Sequence, residues 1–223
     1  MQKSKNCQSF FISATNTNIG KTYVTLQLME FFAKKGYKVG AFKPIETGVD
    51  KIPPDGEKLL KKAKELNKNF NDIDITDIVP IMLKLPASPF VAKNNLTIDF
   101  NKIDKSFKKL KKRCNILFIE GAGGLMVPVD KKFFMVDFIS YFDAKALLVT
   151  PGKLGCINDT LLSLKLLDER NLPYNWCINL KRDEKDNFLK TTLPYYKFAF
   201  KNPIILPWDL ETLCADMINY ILH

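Results

Sequence analysis

Short runs of apolar residues recur along this chain, most of them separated from the next by a stretch of helical periodicity, and four of them end in small polar or charged clusters. Those runs are Phe10–Ala14, Tyr37–Phe42, Ile116-Leu117-Phe118-Ile119, Ala146–Thr150, Trp176–Leu180 and Ile204-Ile205-Leu206. Between them lie helical patterns. Thr22–Lys35 puts Val24, Leu28, Phe31 and Phe32 on one face and stops at Gly36. Gly56–Leu66, Asn101–Arg113, Val136–Phe142, Cys156–Arg170 and Leu210–Leu222 follow. Strands that are apolar throughout are covered on both faces, and helices between them make them parallel. The pattern therefore predicts an α/β fold of three layers, a mostly parallel central sheet with helices on both sides. Region 71–100 is polar, is broken by Pro80, Pro86 and Pro89, and predicts a loop with a short helix. No repeat or linker interrupts the chain, so residues 1–223 are expected to form a single domain.

In such a sheet the carboxyl ends of the strands share one edge, where ligands bind. The first strand runs into Ala14-Thr15-Asn16-Thr17-Asn18-Ile19-Gly20-Lys21-Thr22 and then a helix. Strand, loop, Gly-Lys-Thr and helix is the layout of a phosphate-binding loop, and a fold of the P-loop NTPase type is implied. Helix N–H groups and the helix dipole would hold an anion, Lys21 would reach the outer phosphates, and the Thr22 hydroxyl would ligate Mg²⁺. The loop has Thr15 where the usual spacing has its first glycine. A plain helix start capped by Asn18 or Thr17 is the competing reading.

Three other strand ends carry related clusters: Lys43-Pro44-Ile45-Glu46-Thr47-Gly48, Glu120-Gly121-Ala122-Gly123-Gly124, and Pro151-Gly152-Lys153-Leu154-Gly155-Cys156-Ile157-Asn158. Glu120 stands where nucleotide hydrolases place a second metal-binding carboxylate. Pro44 and Gly48 make Lys43 part of a shaped loop. Asp55 reads locally as an N-cap. Gly155 to Asn158 open a helix whose N–H groups suit a carboxylate.

Composition removes several classes of chemistry. His223 is the sole histidine and the last residue, so neither a histidine-based triad nor most zinc sites can be assembled. The five cysteines, Cys7, Cys114, Cys156, Cys177 and Cys214, are scattered without a C-x-x-C pair, which argues against a disulfide framework and for a reducing cytoplasm. No apolar run is long enough to span a membrane, and Met1–Lys5 does not open a secretory signal. The net charge of +10 comes almost wholly from lysine, with only three arginines, Arg113, Arg170 and Arg182. Base readout and bidentate phosphate recognition favour arginine, so the run Lys108–Arg113 reads as a solvated helix face, and no nucleic-acid or membrane partner is expected.

Taken together, ATNTNIGKT at 14–22, KPIETG at 43–48, Asp55, EGAGG at 120–124, VTPGKLGCIND at 149–159 and Asn179 resemble the dethiobiotin synthetase family over nearly the whole chain. The resemblance implies ATP-dependent closure of a cyclic urea on diaminopelargonic acid with CO₂, with Mg²⁺ and ATP. It implies that Lys21, Lys43 and Thr17 are catalytic, and that Asn18, Ile19, Gly20, Lys21, Thr22, Tyr23, Asn179 and Pro207 bind the nucleotide. Thr17, Lys43, Thr47 and Gly123 would contact the substrate. Thr22, Asp55 and Glu120 would hold the metal. Gly155, Cys156 and Asn158 would bind the substrate carboxylate from the partner subunit, so a homodimer is implied. The chain departs from the family at Ala14, usually glycine, at Asn18, often acidic, and in the tail after Trp208. A ParA/MinD-like ATPase switch is the alternative; its second loop lysine would stand at Asn16. A cobalamin-pathway synthetase would need a further domain that this length does not accommodate.

Overall fold

The computed structural model describes residues 7–222, so Met1–Lys5 and His223 lie outside it. Six parallel strands form the central sheet in the order β10-β9-β8-β1-β5-β2. They are β1 (Gln8–Ala14), β2 (Val39–Phe42), β5 (Ile116–Gly124), β8 (Lys145–Pro151), β9 (Tyr174–Asn179) and β10 (Ile205–Leu206). Phe11 lies opposite Ile119 on one side and Ala146 on the other, which fixes β1 at the centre. Phe10, Phe11 and Ile12 are wholly buried. Each such side chain contributes about 1.5–3 kcal/mol, so successive buried residues on both faces account for a strand with no exposed side.

Helices α1 (Lys21–Lys34), α2 (Pro54–Leu66), α5 (Phe100–Lys111), α6 (Asp137–Tyr141), α7 (Cys156–Glu169) and α10 (Leu210–Leu222) cover the sheet. On α1 the buried face is Val24, Thr25, Leu28, Met29 and Phe32. Phe31, expected on that face, is only half-buried and meets Phe32 edge to face at 5.8 Å. The lysine-rich α5 begins at Asp99, whose side chain accepts from Lys102 N at 3.2 Å. Its basic last turn suits the negative end of the helix dipole. The basic run Lys108–Arg113 is more than a solvated face: Lys109 pairs with Asp77 at 2.7 Å, and Arg113, just past the helix, holds both oxygens of Asp72 at 2.8 and 2.9 Å.

Other differences from the sequence reading lie near the carboxyl edge. Segment 71–100 holds two short helices, α3 (Ile75–Ile78) and α4 (Pro89–Ala92), and a strand, β4 (Ile81–Leu83). β4 pairs in parallel with β3 (Ile45–Thr47), so part of the expected loop after Lys43 is extended. Glu120 to Gly124 continue β5 instead of ending it. Gly121 permits this because a Cβ there would meet the Phe11 ring at 3.0 Å. A hairpin of β6 (Pro128–Asp130) and β7 (Phe133–Phe134) follows, and α8 (Lys185–Thr191) and α9 (Leu193–Ala199) fill the stretch after β9. Among the described residues no helix is long and apolar enough to cross a membrane.

Candidate active site

The loop after β1 enters α1 with Asn18 at φ 57° and Gly20 at φ 96°. No side chain caps α1, which removes the reading of Thr17 or Asn18 as an ordinary cap and leaves the helix start facing the loop. Gly20 is required twice over: its φ favours glycine, and a Cβ would fall 2.2 Å from Asn179 Nδ2. That nitrogen donates to Ile19 O at 2.8 Å, so β9 braces the loop from behind.

Lys21 turns back across the loop and donates to Gly123 O at 3.0 Å and Asn16 O at 3.3 Å. Burial, and next the neighbouring Lys43 charge, lower its pKa to about 8. Lys43, 3% exposed, donates to Glu120 Oε1 at 2.7 Å and to Gly121 O at 3.3 Å, with Asp55 Oδ2 3.9 Å away. Burial alone would lower the Lys43 pKa, but the charge and hydrogen bond of Glu120, helped by Asp55, raise it overall. Glu120, 1% exposed, also accepts from Thr22 Oγ1 at 3.0 Å and from Thr25 Oγ1 at 3.4 Å. Glu120 and Asp55 thus present hard oxygen donors beside one ammonium group, and Thr22 joins them through Glu120. That donor set fits Mg²⁺, whose remaining positions would go to phosphate oxygens and water.

Asp55 is not the N-cap that its local pattern suggests. It lies in the first turn of α2, and the cap comes from β3. Glu46 Oε1 accepts from Asp55 N and Oε2 from Gly56 N, both at 2.9 Å. Burial is the main cause of a raised Glu46 pKa. No sequence motif pointed to this role; the signal was only an acidic residue inside the strand-end cluster, nine positions before the helix turn.

Two clefts flank the loop. One, of about 540 Å³, is lined by Thr17, Asn18, Lys21, Lys43, Thr47 and Asp55, and Gly123 also reaches it. Pro86 to Pro89 and Val127 complete its wall, from segments given no site role in the sequence. The second, of about 640 Å³, is lined by Gly20, Tyr23, Asn179, Arg182, Pro207 and Trp208. Lys185 Nζ stands 5.1 Å from the Trp208 ring centre. Gly155, Cys156 and Asn158 line neither cleft. Gly155, at φ 91°, opens α7 without a side-chain cap. Cys156 N already donates to Lys153 O at 3.2 Å, and its buried thiol lies 3.5 Å from Tyr196 Oη.

The AAA domain family matches residues 8–190. An ATP-dependent dethiobiotin synthetase BioD from a Sulfurovum species is 48% identical over 192 residues, covering 86% of this chain and 91% of that protein. The enzyme of the same name from Wolinella succinogenes is 37% identical over 213 residues, 95% of this chain and 98% of that one. Among solved structures, a plasmid partition protein from Borrelia burgdorferi superposes with TM-score 0.58 at 10% identity, covering 97% of this chain and 100% of that one. The MinD cell division protein of Aquifex aeolicus gives 0.52 at 18% identity, over 90% of this chain and 82% of that one. At those identities the two structures share the P-loop fold alone.

Proposed function

This chain belongs to the ATP-dependent dethiobiotin synthetase family, and we propose that the two clefts divide the reaction of that family between them. The protein is a ligase of biotin biosynthesis that uses ATP. The diamine and CO₂ would occupy the cleft of Lys43 and Thr47, and the nucleotide base the cleft of Asn179 and Trp208. The phosphate chain would cross the loop between them. The observation that carries this division is the position of the loop: Lys21 lines the first cleft together with Lys43, while the adjacent Gly20 lines the second.

One amine of diaminopelargonic acid adds to CO₂, giving a carbamate and a proton. The carbamate oxygen attacks the γ-phosphorus, ADP leaves, and a carbamic–phosphoric anhydride forms. The second amine attacks the carbonyl carbon, phosphate leaves, and the cyclic urea closes. No histidine is needed. Lys21 and Lys43 supply fixed positive charge where negative charge builds, the kind of preorganised stabilisation that dominates such transfers. Thr17 and Thr47 orient the amine and carbamate, converting an encounter into a placed reaction. Mg²⁺, held by Thr22, Asp55 and Glu120, would neutralise phosphate charge.

The chain would act in the cytoplasm as one domain and as a homodimer, with the α7 start of a partner subunit closing the substrate cleft over the carboxylate. Two exposed leucines, Leu154 at 74% just before α7 and Leu162 at 61% in its middle, favour a covered surface along that helix. The test follows phosphate release from MgATP and bicarbonate with and without diaminopelargonic acid, and the cyclic urea by mass spectrometry. Matched release and product are expected; ATP hydrolysis indifferent to the diamine would overturn the reading.

A further inference from the structure

At the edge of the sheet opposite the clefts, two thiols stand together that the reaction does not use. Cys7 immediately precedes β1, and Cys114 lies between α5 and β5. Their chain neighbours are joined: Gln8 pairs with Ile116, and Gln8 N donates to Asn115 O at 2.8 Å. The two Sγ atoms are 3.6 Å apart. Cys114 is nearly enclosed, at 9% exposed, and also contacts Leu110 O at 3.4 Å, whereas Cys7 is half-buried.

We propose that Cys7 and Cys114 form a redox-active dithiol that hydroperoxides oxidise to a reversible disulfide. The Cys7 thiolate attacks one peroxide oxygen, the O–O bond breaks, and a sulfenic acid forms as water leaves. The Cys114 thiol then attacks the Cys7 sulfur, the S–O bond breaks, and a second water departs with the remaining protons. In sum, two thiols and one hydrogen peroxide give one disulfide and two waters. Each thiol loses one electron and the peroxide gains two. The sulfurs must close from 3.6 Å to about 2.05 Å, a side-chain movement between strands already in register.

The electrostatics favour this order of attack. The Cys114 hydrogen bond, opposed by burial and aided by the Lys111 charge, lowers the Cys7 pKa, while Cys114 is held well above the ordinary range. A thiolate is the nucleophile, and an accessible thiolate beside a resolving thiol is the arrangement that oxidises selectively. The other three thiols are poor candidates. Cys156, Cys177 and Cys214 are buried, and burial pushes each of them up. Strand β1 spans about 20 Å at 3.3 Å per residue, so the dithiol is remote from the phosphate loop.

The experiment exposes the full chain to a modest excess of hydrogen peroxide, blocks free thiols with N-ethylmaleimide and maps peptides by mass spectrometry. The expected result is loss of two of five thiols, a Cys7–Cys114 cross-linked peptide, and recovery with dithiothreitol. Turnover should stay within twofold of the reduced enzyme, and the oxidised protein should melt several degrees higher, since the bond closes a span of 107 positions. Cys7→Ser should keep all its remaining thiols at the same dose. Cys114→Ser should accumulate a dimedone-reactive sulfenic acid on Cys7. Alkylated Cys7 and Cys114 after oxidant, or a cross-link that joins either to another cysteine or another chain, would overturn the proposal. The wild-type map and Cys7→Ser decide it even if Cys114→Ser does not fold.

Discussion

Replacing Lys43 with methionine keeps most of the side chain's length and removes its charge. Glu120 would then remain 1% exposed with only the Thr22 and Thr25 hydroxyls as partners. Removing one member of a buried ion pair costs about 3–5 kcal/mol, because the other charge stays desolvated. For a chain of this size that is a fall in Tm of about 6–20 °C. The double variant Lys43→Met with Glu120→Gln removes both charges while the amide oxygen can still accept from Thr22. Its cost should be at most about 1.5 kcal/mol, well below the sum of the two single-variant costs at about 3–5 kcal/mol each. Turnover behaves differently. Losing one preorganised donor at the reacting group costs about 100- to 1000-fold in kcat, and restoring stability does not restore the donor. Urea unfolding of the nucleotide-free proteins, read at constant m-value, measures the first effect, and steady-state turnover the second. Single-variant costs that simply add, or a double variant that regains activity, would refute the argument that Lys43 serves the fold and the chemistry through separate interactions.

Three further outcomes are expected. Glu46→Ala strips two N–H groups of α2 of a charged acceptor and should destabilise the chain by about 3–6 kcal/mol, at about 1.5–3 kcal/mol per bond to a charged group; a thermal melt within a degree of wild type would show that water replaces the cap. Trp208→Ala should raise the KM for ATP at least fivefold with kcat little changed, since base–aromatic stacking contributes about 1–3 kcal/mol, and ATP should no longer alter the intrinsic tryptophan fluorescence. Leu162→Lys should shift the protein to monomer in analytical ultracentrifugation and raise the KM for diaminopelargonic acid more than that for ATP; an unchanged sedimentation coefficient would remove α7 from the interface.

What the sequence made legible was what local pattern and steric rule determine. The apolar runs placed the strands of the central sheet, because a strand buried on both faces is made mostly of apolar residues. Gly20 and Lys21 were readable because a phosphate loop needs specific backbone angles next to a cation. Glu120 was readable as a candidate because it follows four apolar residues toward the carboxyl end of a strand. The Glu46 cap was not readable, since its partners Asp55 and Gly56 belong to another element and nothing in the local pattern says that the intervening turn folds back onto residue 46. The wall formed by Pro86 to Pro89 was missed for a similar reason. Prolines signal a break in regular structure, but nothing local says which surface the break will face. Cys7 and Cys114 are 107 positions apart, and only strand register makes them neighbours.

The outside cap on α2 also constrains how this sequence can change. Pro53 sits at the N-cap position, where it offers no side-chain acceptor. That choice is tolerable only while a carboxylate reaches in from residue 46. A chain that lost the carboxylate would have to recruit serine, threonine or aspartate near position 53 to hold the same turn. Residues 46 and 53 are therefore one choice written in two places, and chains that differ at one should differ at the other.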